Sequence, residues 1–93
     1  MEEKKSEIQL ELEKILDDVN PGDFPATADN EYEDEARMFL SRINDSMKED
    51  ELLVVLHTVF QEMFNFNKDE ETREELRPII REYLKLKIKH LNH

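Results

Sequence analysis

The stretch "LLVVLHTVFQEMF", residues 52–64, decides the fold of this chain. Its centre, "VVLHTVF", is rich in β-branched and aromatic residues and has strand propensity. Two features favour a helix instead. Ser46-Met47-Lys48-Glu49 just upstream matches a capping box, in which Ser46 bonds the third amide and Glu49 returns the bond. The apolar set Leu52, Leu53, Val55, Leu56, Val59, Phe60, Met63 and Phe64 also continues at helical spacing over most of the circumference. A helix over 47–65 is therefore expected, central in the molecule and contacted from several sides.

The flanking segments have one apolar face each. Upstream, Tyr32, Ala36, Phe39, Leu40 and Ile43 recur at i, i+4, i+7, i+8 and i+11, predicting a helix over 30–44. Asp29 or Asn30 caps it, and Glu31, Glu33, Asp34 and Glu35 suit the positive end of its dipole. Ile8, Leu12, Ile15, Leu16 and Val19 repeat the pattern in a first helix over 3–18. Asn20-Pro21-Gly22 stops that helix, because a residue before proline avoids the α region and glycine permits a reversal.

Downstream, Asp69 or Thr72 opens a fourth region over 70–91, with Thr72 and Glu75 offering a second capping box. Leu76, Ile79, Ile80, Tyr83, Leu84, Ile88 and Leu91 form its inner face. Pro78 requires a kink, or a short turn ending near Leu76 with a new helix starting at the proline. The terminal "LKLKIKHL" alternates with period two, which leaves a strand as the alternative there. The economical architecture is all-α: one domain over 1–93, a four-helix bundle with short connections.

Composition limits the function. At 93 residues the chain supports one modest core. It lacks cysteine, so neither disulfides nor a cysteine zinc site can form. It has no run of eighteen apolar residues, and its charged start has no apolar signal core, so a cytoplasmic protein without membrane association is expected. The net charge of −11 is uneven. Residues 1–51 hold 17 acidic and 6 basic side chains, whereas 52–93 hold 7 of each. Such an acidic front half repels phosphates and argues against nucleic acid as partner. Its complement is a basic protein surface; the plainer reading is that the acid maintains solubility.

Catalytic and metal motifs are missing. There is no GxSxG, phosphate-cradling glycine loop or HExxH. His57 lies at the margin of an apolar surface, where a packed histidine is the commoner case than a catalytic base. His90 and His93 at i and i+3 make two ligands, too few for a specific metal site. "DNEYEDE" has the carboxylate density for calcium without the twelve-residue loop and its central glycine. No enzyme activity, cofactor or metal is expected.

Docking is the reading that remains. The expected face comprises Asp17, Asp18, Asp29, Glu31, Asp34 and Glu35, with Phe24 either plugging the bundle or anchoring a partner. An immunity-type inhibitor of a basic protein is one concrete form. The alternative is a structural or regulatory protein that self-associates as a homodimer, using apolar residues beyond one core's needs: Leu10, Met38, Val54, Phe66 and Leu86.

The order Val19-Asn20-Pro21-Gly22, then Glu31-Tyr32-Glu33-Asp34-Glu35-Ala36, then "VFQEMF" (59–64) and "IIREYLKLK" (79–87), resembles a small bacterial all-helical family typified by YugE-like proteins. That family shares a Trp-Asp-Pro turn, an acidic Tyr-Asp-x-Glu helix start and an aromatic third helix. The likeness spans roughly Val19 to Lys87. It departs at Val19, in place of tryptophan, at Asn20, in place of aspartate, and in a longer loop over 23–30. It implies a compact helical bundle, carries no reaction or substrate with it, and implies that the Asn-Pro turn and Tyr32 form one structural unit.

Overall fold

A computed structural model describes residues 7–21, 32–66 and 68–91, with the backbone alone described at positions 90 and 91. Five helices follow in order: α1 (Glu7–Val19), α2 (Glu33–Arg42), α3 (Glu49–Phe64), α4 (Glu70–Glu75) and α5 (Arg77–Leu91). Among the described residues there is no strand, and the period-two alternative for the C-terminal segment is replaced by α5. The architecture is an all-α four-helix bundle whose fourth member is broken in two. α1 packs on α2, α2 on α3, α3 on α4 and α5, and α5 back on α1. The helices thus form a ring, and the diagonal from α2 to α5 is spanned by the side chains of Phe39 and Tyr83.

The core is the set that the apolar spacing selects. Leu12 and Leu16, Tyr32, Ala36 and Phe39, Leu52, Leu53, Leu56, Val59 and Phe60, and Leu76, Ile79, Ile80 and Tyr83 are all buried in one cluster. α3 gives more of them than any other helix, as its broad apolar circumference requires. Phe39 meets Tyr83 edge-on across the ring, with centroids 5.4 Å apart. Tyr32 stacks on Phe60 at 6.1 Å, and Phe64 and Phe66 extend that aromatic group. Quadrupoles favour such edge-on and offset pairs over face-to-face ones.

Some inner-face assignments change. Val19, Met63 and Ile88 are 40%, 40% and 60% exposed. Val19 and Met63 sit at helix ends, and at 100° per residue Ile88 lies about 140° round α5 from Tyr83. Leu86, expected as surplus, lies only about 60° from Tyr83 and is buried. Met38 and Phe66 are partly buried against the core, while Leu10 and Val54 are exposed.

The helix termini also differ in detail. Ser46 does not cap α3: its amide and hydroxyl both donate to Asn44 Oδ1, at 3.0 and 2.6 Å. That local turn competes with the capping box, so α3 begins at Glu49, with the Lys48 amide donating to Glu51 Oε1 at 3.5 Å. Asp69, not Thr72, caps α4, accepting from the Thr72 amide at 2.7 Å. The helical run then breaks at Leu76, as the second of the two expectations for Pro78 required. Proline has no N–H to continue the ladder and sits in the first turn of α5, where none is needed. Both described residues with positive φ are asparagines that end helices: Asn20 after α1 (49°) and Asn65 after α3 (58°). Asparagine tolerates this left-handed conformation better than other non-glycine residues.

Asn20 does a second thing. Its Oδ1 accepts a 2.6 Å hydrogen bond from the Tyr32 hydroxyl, fastening the end of α1 to the start of α2. Tyr32→Phe should keep the ring stacked on Phe60 and lower the unfolding free energy by about 1 kcal/mol, the usual net worth of such a bond. Urea denaturation with an unchanged slope checks this.

Hydrogen bonding from Thr72, through side chain and amide, holds the Asp69 carboxyl below its ordinary value of 3.8. A depressed folded value means that this stabilisation is present above pH 3.8 and disappears as pH falls through the lower folded value. Asp69→Ala should lower the thermal midpoint by a few degrees at pH 7 and change it little near pH 2, whereas Asp69→Asn should keep most of the cap. Thermal melts monitored by circular dichroism from pH 2 to 7 measure both.

Candidate functional site

The acidic end of the molecule is built by two helix termini. Asp17 and Asp18 are exposed on the last turn of α1, which contains no basic residue. Carboxylates there face the negative end of the helix dipole, an unfavourable position. Glu33, Asp34 and Glu35 occupy the first turn of α2, where the dipole favours them. The Tyr32–Asn20 hydrogen bond brings these two ends together, so the carboxylates of both termini share one region.

The carboxylates within it have different surroundings. Asp34 is exposed and paired with Arg37 one turn on, at 2.6 Å. Glu35 is 3% exposed and therefore belongs to the interior and not to the expected face. Spacing alone carried this signal, because position 35 is i+3 from Tyr32 and i−4 from Phe39, on the core side of α2. Partial burial, then the charges of Glu13 and Asp18, push the Asp17 carboxyl above its ordinary value. Phe24, Asp29 and Glu31, and the capping of α2 by Asp29 or Asn30, lie outside the described residues. Of the seven expected docking residues, Asp17, Asp18 and Asp34 are thus exposed at one end of the bundle.

A second charged constellation was not singled out from sequence. Arg77, at the start of α5, donates to both carboxylate oxygens of Glu74 (2.7 and 2.9 Å), to Asp50 (3.1 Å) and to Glu49. Arg81 approaches Glu49 at 3.6 Å. Glu74 first, then Glu49 and Asp50, hold the Arg77 guanidinium firmly in its charged form. Asp50, Glu74 and Arg77 edge a cleft of about 310 Å³ between α3 and α4 that also includes Leu53 and Val54. Its chemistry is that of a clamp: one planar guanidinium joins three helices through geometry that lysine cannot reproduce. The available signal was a lone arginine next to a proline that begins a helix.

His57 is buried on α3, its ring nitrogens 3.2 Å from Gln61 Nε2 one turn on. His90 and His93 lie outside the described side chains. Among the described residues, no group of three or more histidine, aspartate or glutamate side chains is placed to hold a metal ion. No described helix is long and apolar enough to cross a membrane. Comparison of the chain with protein-family models, with curated proteins and with solved structures finds no match.

The raised Asp17 carboxyl gives a signed prediction. A folded value above the unfolded one means that ionised Asp17 opposes folding, and this opposition is relieved as pH falls through the raised value. Asp17→Asn should therefore stabilise the protein at pH 7 by about 0.2–0.5 kcal/mol, the scale of a like-charge i,i+4 contact with Glu13. The gain should vanish below pH 3.8. Paired denaturation curves at pH 7 and pH 3 measure it.

Proposed function

We propose that this chain is a small acidic protein-interaction module that docks onto a basic protein surface, an immunity-type inhibitor of a basic protein being its concrete form. The crowding of carboxylates around Asp17 carries the reading. Partial burial first, then the charges of Glu13 and Asp18, raise its carboxyl, and the last turn of α1 supplies no cation to relieve it. A fold that keeps like charges together at a helix C-terminus sacrifices some stability there, and a cationic partner would recover it on binding. The same charge would speed encounter, because a net −11 surface attracts a basic molecule over the screening length of the solution.

Exposure refines which residues take part. Among the described residues, Asp17, Asp18 and Asp34 are the accessible members, and Asp34 would exchange its Arg37 contact for a partner cation. Rim charges of this type act mainly on association rate and on salt dependence. Binding should weaken steeply as ionic strength rises.

The test is charge reversal with the fold preserved. Wild-type protein and the Asp17→Lys/Asp18→Lys/Asp34→Lys variant are immobilised and presented with the same bacterial lysate at low and moderate salt. The expected result is a basic protein retained by the wild type, lost with added salt and lost by the variant, with the circular dichroism of the two unchanged. A captured protein that the variant retains equally well would remove the acidic end from the interaction.

A further inference from the structure

Among the described helices, α4 alone contains no apolar side chain. Glu70–Glu75 reads EETREE, and none of its residues is buried. A helix this short with no packed face does not hold itself together, because nucleation costs more than one turn of backbone bonds returns. Its order is supplied by polar contacts. Asp69 caps its first turn through the Thr72 amide, at 2.7 Å, and Arg73 lies 3.8 Å from Glu70. Arg77, which belongs to α5, donates to both carboxylate oxygens of Glu74 while holding Glu49 and Asp50 at the start of α3.

The groups that this guanidinium draws together repel one another. Asp69 to Glu75 carries five carboxylates against Arg73. The first turn of α3 adds Glu49, Asp50 and Glu51. Asp50, Glu70 and Glu74 line the same cleft, with Arg73 and Arg77 between them. Without Arg77, like charge would drive α4 away from α3.

At its far end α4 is joined to α5 by a weakened ladder. In a continuous helix the amide of residue 78 would donate to the carbonyl of residue 74, and Pro78 has no N–H. The Leu76 carbonyl accepts from the Ile79 and Ile80 amides, at 3.1 and 3.4 Å, so it belongs to the first turn of α5. Its side chain is fully buried in the core cluster. The Leu76 amide points the other way, donating to the Arg73 carbonyl at 3.1 Å.

We infer that α4 is a strap, latched by Arg77, that opens as a unit from the α3–α4 cleft while the other four helices stay packed. Opening breaks the Asp69 cap and the Glu74 half of the clamp, and it brings no buried side chain of α4 into water. Its free energy therefore lies well below that of global unfolding. Arg77 keeps Glu49 and Asp50, so the start of α3 remains neutralised in the open state. The cleft then loses Glu70, Arg73 and Glu74 as one wall, and Leu53 and Val54 on α3 become approachable.

Native-state amide exchange of the full chain, followed by NMR at neutral pH without denaturant, tests the inference. The Arg73 and Leu76 amides report on α4, and those of Leu56 and Phe60, in the middle of α3, report on the bundle. In the wild type, Arg73 and Leu76 should share one opening constant, at least about a hundredfold larger than that of Leu56 and Phe60. Asp69→Ala should raise exchange of both strap amides about fivefold, the effect of a lost N-cap, although Leu76 lies at the opposite end of α4. Arg77→Gln should also raise both. Tyr32→Phe, remote from α4, should raise exchange at Leu56 and Phe60 about fivefold and leave Arg73 and Leu76 unchanged. Strap amides that accelerate with Tyr32→Phe as much as the α3 amides do would show that α4 opens only with the whole bundle, and overturn the inference. An Asp69→Ala effect confined to Arg73 means fraying instead of a unit, and overturns it as well. Exchange in α4 that Arg77→Gln leaves unchanged removes the latch.

Discussion

The placement of Tyr32 is the constraint on which the rest of the structure depends. Its ring is 2% exposed, stacked on Phe60 and edge-on to Phe64, and its hydroxyl reaches Asn20 at the end of α1. One side chain thus sets the positions of three helices relative to one another. Two of the termini it joins are acidic, and on electrostatic grounds they would separate. Aromatic burial and a short hydrogen bond oppose that repulsion. The acidic region of the surface is therefore a product of the core beneath it, and its geometry changes only if the aromatic group does.

The cations are arranged to the same effect. Arg77 and Arg81 hold the start of α3 to the junction of α4 and α5, Arg42 joins α2 to Glu62 on α3, Lys87 reaches Asp45, and Lys89 reaches Glu11. Exposed pairs of this kind contribute little stability one by one. Their distribution matters more than their sum. Most of these contacts bridge helices, which leaves the last turn of α1 as an acidic terminus with no basic residue of its own.

How much of this was legible in the sequence depends on the range of the interaction. Periodicity selected Leu12, Leu16, Phe39, Leu56, Phe60 and Ile79 as core, because burial of one helix face is a regular, local pattern. Pro78 located the break after Leu76 for an equally local reason: the missing N–H. Ser46 was misread because Asn44, two residues away, offered its hydroxyl and amide a competing acceptor. At the candidate site, Asp17, Asp18 and Asp34 were legible as charge. The inward turn of Glu35 was legible as spacing, yet the acidic run obscured it. The Arg77 clamp was not legible, since it joins Glu49, Asp50 and Glu74 from two other helices, and no short-range pattern announces a contact across 27 or 28 positions.

The two tyrosines have a consequence for observing this molecule. The chain contains no tryptophan, so its near-ultraviolet signal comes from Tyr32 and Tyr83 with a weak phenylalanine background. Tyr32 lies under the junction of α1 and α2, hydrogen-bonded through its hydroxyl. Tyr83 lies against Phe39 across the bundle, where burial raises its phenol above the ordinary value of 10.0, opposed by the charge of Lys87 and aided by that of Asp45. The two chromophores differ in environment. Native absorbance therefore contains separate optical reports from the acidic end and from the middle of the core, with no label attached.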